Sequence, residues 1–174
     1  MSRRAKSISE KMIKVDHTGE NGAVNIYRAQ RLVAQIRARH LIPQLVHFQE
    51  HEEEHRELFQ NYLKERDIRR CASFHLSGIG GFALGFITGL MGPNAIAATT
   101  YAVENVVLEH LEHQLDFLKT DNMDAFNVVS LIYEDEKSHH DMAKAQMHEG
   151  KLISRILVLI VKISTEAVIR FGMR

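Results

Sequence analysis

One arrangement of acidic and imidazole side chains occurs twice in this chain at the same spacing. Glu20 is followed 32 residues later by Glu52, which opens Glu52-Glu53-Glu54-His55. Glu104 is followed 32 residues later by Glu136, which opens Glu136-Lys137-Ser138-His139. On a helix, positions i and i+3 are neighbours on one face, so each Glu-x-x-His presents a carboxylate and an imidazole together. No other Glu-x-x-His occurs in the 174 residues. A duplicated helical hairpin gives the shared offset naturally. Two such pairs, with one Glu from each of two further helices, form the ligand set of a di-iron carboxylate four-helix bundle.

Hydrophobic spacing places the pattern on four long helices. The first is expected over about Ser9 to Arg39, with a seam of Ile13, His17, Glu20, Val24, Tyr27, Arg31 and Ala34. Pro43 suits the first turn of the second, which runs to about Arg66 with the seam Leu45, Phe48, Glu52, His55, Phe59 and Tyr62. Pro93 starts another, ending near Thr120, with Tyr101, Glu104, Leu108, Leu111, Leu115 and Leu118 inward. After an Asp121-Asn122 turn, the last runs from about Met123 to His148, with Val129, Ile132, Glu136, His139 and Ala143 inward and Gly150 as its cap. All six candidate ligands therefore occupy core positions, where Leu or Ile would ordinarily stand. Four carboxylates close together in a core stay ionised only if cations neutralise them. Glu50, Glu53, Glu54 and Glu57 fall off the seam and read as a solvated face.

The whole chain is expected to form one all-α domain over residues 1–174. Basic and acidic residues balance at 22 each, so no nucleic-acid-binding face is implied. Cys71 is the only cysteine, which excludes a disulfide framework and a thiolate iron site. The N-terminal residues carry no apolar core of a signal peptide.

Two apolar segments are more than a plain bundle needs. From Cys71 to Val103 there is no Asp, Glu, Lys or Arg, and Phe74 to Met91 carries Gly78, Gly80, Gly81, Gly85 and Gly89. A transmembrane helix needs about 20 apolar residues, and Gly92-Pro93 cuts this one short. It reads as a crossover helix between the two hairpins, closely packed through its glycines and with one side toward lipid or an apolar ligand. Burial of the whole crossover helix is the competing expectation. Leu152 to Val168 is apolar but interrupted by Arg155, Lys162 and Glu166, the pattern of an amphipathic helix on a membrane or partner surface.

Hard carboxylates with only two imidazoles favour iron or manganese over zinc. Glu52 and Glu136 can bridge two metals, Glu20 and Glu104 can each end on one, and His55 and His139 can complete one site each. Two ferrous ions so held can act on dioxygen to store iron, make a radical or oxygenate an organic substrate. Asp16, Glu134, Asp135 and Asp141 are candidate partners for the outer ring nitrogens of the ligand histidines. His17, His110 and His140 are either outer-sphere proton carriers or ordinary hydrogen-bonded histidines.

Val15-Asp16-His17-Thr18-Gly19-Glu20-Asn21-Gly22-Ala23 is similar to the opening motif of the demethoxyubiquinone hydroxylases, di-iron monooxygenases of ubiquinone biosynthesis. The resemblance continues through Glu52-x-x-His55, Gly81-Phe82-Ala83-Leu84-Gly85, Ala102-Val103-Glu104 and Asp135-Glu136-x-x-His139-His140-Asp141, covering nearly the whole chain in order. It implies a ferritin-like bundle on the inner (cytoplasmic or matrix) face of a membrane. It also implies two irons held by Glu20, Glu52, His55, Glu104, Glu136 and His139, with O2 as co-substrate and electrons ultimately from NADH. The implied substrate is a polyprenyl methoxy-methyl benzoquinol, hydroxylated at its unsubstituted ring carbon. A homo-oligomer and accessory proteins of ubiquinone biosynthesis are partners the resemblance leaves room for; nucleic acid is not. The family commonly has His-Tyr where this chain has His110-Leu111, and Ala where it has Thr18. Two alternatives compete: a ferritin-like di-iron oxidase or iron-handling protein with no organic substrate, and a membrane scaffold whose Glu/His pairs are accidental.

Overall fold

The protein is described here from a computed structural model covering residues 2–148 and 152–173. Six α-helices make up almost all of it: α1 (Ile8–Arg37), α2 (Ile42–Glu65), α3 (Phe74–Met91), α4 (Pro93–Asp121), α5 (Met123–Gln146) and α6 (Leu152–Gly172). The fold is all-α, a ferritin-like four-helix bundle (α1, α2, α4, α5) with α3 crossing between its hairpins and α6 added at the end.

Local sequence sets the helix starts. Ser7 caps α1, its hydroxyl accepting from the Glu10 amide at 3.1 Å. Pro43 and Pro93 lie in the first turns of α2 and α4. Asn122 caps α5 by accepting from the Ala125 amide at 3.1 Å. Gly150, the expected cap after α5, lies outside the described residues, and α5 itself stops two residues short of His148.

Packing repeats in two halves. α1 pairs with α2 and carries α3 on its other side; α4 pairs with α5 and carries α6. The halves also cross, α3 touching α4 and α6 touching α1, whereas α3 and α6 hardly meet. Two glycines explain how tightly α3 lies on α1. A Cβ at Gly81 would stand 2.2 Å from the carbonyl oxygen of Gly22, and one at Gly85 would stand 2.2 Å from that of Ile26. Side chains there would hold the two backbones apart.

The crossover helix is not wholly buried. Leu76, Ile79, Phe82, Phe86, Ile87 and Leu90 on α3 are exposed, as are Leu152, Ile156, Leu159, Ile160 and Ile163 on α6. Each of these helices therefore packs one side on its own half and leaves a second apolar side open. α3 is long and apolar enough, by length and composition, to cross a membrane.

The core consists of two apolar clusters with a polar layer between them. One gathers Ala23, Tyr27 and Ala34 of α1 with Phe48, Val103 and Val161. The other gathers Ile13 of α1 with Phe59, Tyr62, Leu111, Val129 and Ile132. Glu20, the Glu52–His55 pair, Glu104 and the Glu136–His139 pair fall between the two along their helices. The expected seams hold on α2 and α5, where every member is buried. On α1, Arg31 is only half-buried, and on α4 so are Tyr101, Leu108 and Leu115. Instead α4 is buried all round from Ala95 to Thr100, because α3, α5 and α6 press on it from different sides.

Candidate metal centre

The six carboxylate and imidazole residues converge in the middle of the bundle. Each is at most 7% exposed. Their donor atoms form two overlapping groups, Glu20–Glu52–His55–Glu136 and Glu52–Glu104–Glu136–His139, each with its atoms within 4.8 Å of one another. Glu52 and Glu136 belong to both. The arrangement has approximate twofold symmetry. His55 Nδ1 lies 2.9 Å from Glu136 Oε1 and 3.9 Å from Glu52 Oε2. His139 Nδ1 lies 3.3 Å from Glu52 Oε1 and 3.9 Å from Glu136 Oε2.

These atoms are near one another without being properly bonded. His55 Nδ1, His139 Nδ1, Glu52 Oε1 and both Glu136 oxygens are buried and make no hydrogen bond of acceptable geometry. Buried polar atoms rarely remain so. Donors that approach within 3–4 Å yet are misaligned for each other suit shared ligands placed between them. The electrostatics agree. Burial, then Glu52 and Glu136, push Glu20 well above the ordinary carboxylate range. Burial, then Glu136 and Glu52, do the same to Glu104. Burial opposes charge on His55, but the carboxylates of Glu136 and Glu52 outweigh it and raise the imidazole to about 11. Without cations, the site must take up protons to offset its own charge; two divalent metals would take their place. The donor set thus fits a pair of hard cations.

Second partners hold these side chains. Tyr27 donates its hydroxyl to Glu104 Oε1 at 2.5 Å. His55 Nε2 lies 3.3 Å from Asp135 Oδ2, so of the four acidic candidates for that role Asp135 is the one the fold supplies. His139 Nε2 instead lies 3.2 Å from His51 Nδ1, a residue the sequence reading left out. Glu134 is exposed, Asp141 pairs with His140 at 2.9 Å, and Asp16 accepts from Gln114. The three histidines considered as proton carriers, His17, His110 and His140, also find their places. His17 is buried, stacked on Phe74 with ring centres 4.8 Å apart, and both its nitrogens lack partners. Burial, then the charges of Arg56, Arg70 and Lys64, lower it to about 4, which suits a neutral core ring. His110 lies 3.3 Å from Glu166 of α6.

A cavity of about 590 Å³ leads away from the carboxylates. Its inner wall includes Glu20, Glu52, Glu104 and Glu136; apolar side chains such as Ile26, Leu84, Val103 and Val168 line the rest. Its outer wall comes from the first half of α3 (Leu76, Gly80) and the last part of α6 (Thr165, Ile169). The passage therefore runs between the two helices whose far sides are exposed and apolar.

Residues 7–172 match the family model described as "Ubiquinone biosynthesis protein COQ7". The chain belongs to this family. It is 30% identical over 173 residues to the "NADPH-dependent 3-demethoxyubiquinone 3-hydroxylase, mitochondrial" of Dictyostelium discoideum, covering 97% of this chain and 78% of that protein. It is 31% identical over 139 residues to the "3-demethoxyubiquinol 3-hydroxylase" of Rhodospirillum rubrum, covering 80% and 65%. It is 39% identical over 106 residues to the "5-demethoxyubiquinone hydroxylase, mitochondrial" of Saccharomyces cerevisiae, covering 61% and 46%. Family members so named are oxidoreductases, and two of these names place their proteins in mitochondria. The Dictyostelium protein's name specifies NADPH where the sequence reading expected NADH.

Proposed function

We propose that this protein hydroxylates the unsubstituted ring carbon of a polyprenyl methoxy-methyl benzoquinol, demethoxyubiquinol, using O2. Two irons would be held by Glu20, Glu52, His55, Glu104, Glu136 and His139, Glu52 and Glu136 belonging to both donor groups. When bound, that metal pair supplies the electrons and open coordination positions that O2 chemistry needs. The chain's own residues do the rest. Tyr27 and Asp135 orient Glu104 and His55. The apolar cavity walls strip water from the ring and leave its edge facing the carboxylates.

The observation that carries this reading is that one cavity runs from four buried carboxylates to walls formed by α3 and α6, the two helices that each leave an apolar side exposed. An iron-storing oxidase has no need of such a passage. A substrate whose tail lies in a bilayer does, because its ring must enter from the lipid side. α3 and α6 would lie in the inner face of the membrane without spanning it, α3 being held along its length on α1. Electrons would come from a reduced nicotinamide nucleotide outside this chain, delivered through the quinol.

Iron content of anaerobically purified protein, with and without Glu136→Gln, tests the reading beside the quinone pool of a strain lacking the gene. Two irons per chain, lost in the variant, with demethoxyubiquinone accumulating in the strain, is the expected result. Two irons with an unchanged quinone pool would overturn the hydroxylase in favour of the oxidase.

A further inference from the structure

Between the carboxylate cluster and the mouth, the cavity wall carries few polar side chains, and most are engaged. Ser77 donates to the Thr18 carbonyl at 2.9 Å, Ser164 to the Ile160 carbonyl at 2.7 Å, and His110 pairs with Glu166. Asp16 differs. Its Oδ1 accepts from Gln114 Nε2 at 2.9 Å, while Oδ2 is buried and has no partner. Outside the Glu/His set, Asp16 is the only lining residue with a buried, unbonded side-chain atom among the described residues. Asp16 stands one turn before Glu20 on the same helix face, ~6 Å along the axis, which is the span of one substituted ring. Leaving a buried polar group unsatisfied is costly, so such a group points to a ligand that satisfies it.

We propose that Asp16 Oδ2 hydrogen-bonds a ring oxygen of the quinoid substrate, accepting from the hydroxyl of the quinol and donating to the carbonyl of the quinone, with Gln114 fixing its direction. The inference rests on the hydroxylase reading above. An acid suits both redox forms because it presents an acceptor when ionised and a donor when protonated. Burial raises this carboxyl to about 7, opposed by the Gln114 hydrogen bond. The titratable groups lining the same cavity are Glu20 of α1, Glu52 of α2, Glu104 and His110 of α4 and Glu136 of α5, with Glu166 of α6 beside His110. No lining residue of α3 is titratable.

Asp16→Asn separates the two roles. With its carbonyl oxygen held by Gln114, the amide turns only N–H toward the cavity and can no longer accept. The probe is a short-tailed demethoxyubiquinone analogue, titrated anaerobically into iron-loaded protein in its oxidised form, its reduced form and the reduced form with both ring hydroxyls methylated. Expected in the wild type is binding of the first two and ~10-fold weaker binding of the methylated compound. In Asp16→Asn the oxidised form keeps its affinity, the reduced form falls ~10-fold, and methylation costs nothing further. Iron content reports that the variant is folded. Equal affinities for reduced and methylated forms in the wild type would overturn the inference without any variant. So would an Asp16→Asn protein that binds the reduced form normally. A wild type that binds no form, yet holds iron, would overturn the hydroxylase reading with it.

Discussion

Two adjacent glycines of α3 should respond oppositely to the same substitution. At Gly81, a Cβ would lie 2.2 Å from Gly22 O, 2.9 Å from its carbonyl carbon and 3.1 Å from its Cα, all backbone atoms that no rotamer change can clear. Restoring ordinary contact requires α1 and α3 to separate by roughly 1 Å, against the dispersion contacts along their interface. Overpacking of this kind costs about 1–3 kcal/mol, and a rigid backbone obstacle places Gly81→Ala at the upper end. Losing a helical glycine returns about 0.5–1 kcal/mol, leaving a net destabilisation of about 2 kcal/mol. At Gly80 the added methyl meets nothing within 4 Å, so only the gain remains. For a chain of this size each kcal/mol moves Tm by about 2–4 °C. Thermal unfolding followed by circular dichroism should therefore show Gly81→Ala about 4–8 °C below the wild type and Gly80→Ala about 1–4 °C above it. Because α3 contributes none of the six candidate ligands, both variants should keep whatever metal the wild type takes up. Equal Tm values for the two would refute the seating of α3 on α1 described above.

Tyr27→Phe removes the hydroxyl that Glu104 accepts from in a fully buried site. Leaving the buried Glu104 oxygen without that partner costs about 1–3 kcal/mol, so denaturant unfolding should show a loss of that size, with faster iron release to a chelator. Tyr62→Phe, which removes only the hydroxyl accepting from Asn122 at the bundle's end, should leave iron release unchanged. At the N-terminus, the Arg3 guanidinium binds Glu10 through both oxygens, at 2.6 and 2.9 Å, and lowers that carboxyl from 4.5 to about 2. A lowered carboxyl stabilises the fold above its unfolded pKa and loses that contribution as pH falls toward the folded one. Stability should therefore decline between about pH 4.5 and 2, and Arg3→Ala should shrink this part of the slope, as read from urea midpoints across that range.

The bundle and its six inward residues were legible because they break a local rule. Charged residues at positions that otherwise carry Phe48, Phe59, Val129 and Ile132 conflict with the core pattern, and that conflict marks the site. Pro43, Pro93 and Asn122 likewise announce helix starts by their own backbone chemistry. What lies beyond reach depends on contacts distant in sequence. Tyr27 meets Glu104 across 77 positions and His51 meets His139 across 88. His51 was hidden in the charged run Glu50 to Glu57, though its place four residues before His55 puts both on one face. Tyr27 stood on the predicted seam, where a buried hydroxyl requires a partner; that was the available signal. The glycines marked the side of α3 that packs, but the choice between a buried and a half-exposed α3 was out of reach, since a helix apolar on every side does not show whether its other side is covered.

The repeat that first appears as a 32-residue offset extends to a third helix in each half, and this decides where the passage can be. α2 and α5 bring Glu52 and Glu136 to the axis between the halves, so the carboxylate cluster belongs to neither alone. α3 and α6 lie on opposite halves and hardly touch, so the gap at the twofold position is the natural opening. Both helices contribute to the cavity wall, and each leaves elsewhere an apolar side exposed, a surface that water wets poorly and lipid does not disfavour. The symmetry stops at the outer layer. His55 has a carboxylate, Asp135, behind it, and His139 has an imidazole, His51. A carboxylate partner raises the basicity of a ligating imidazole more than a neutral ring does. The two positions that look equivalent in the sequence repeat are therefore chemically distinct, and a metal pair held there would be held unequally.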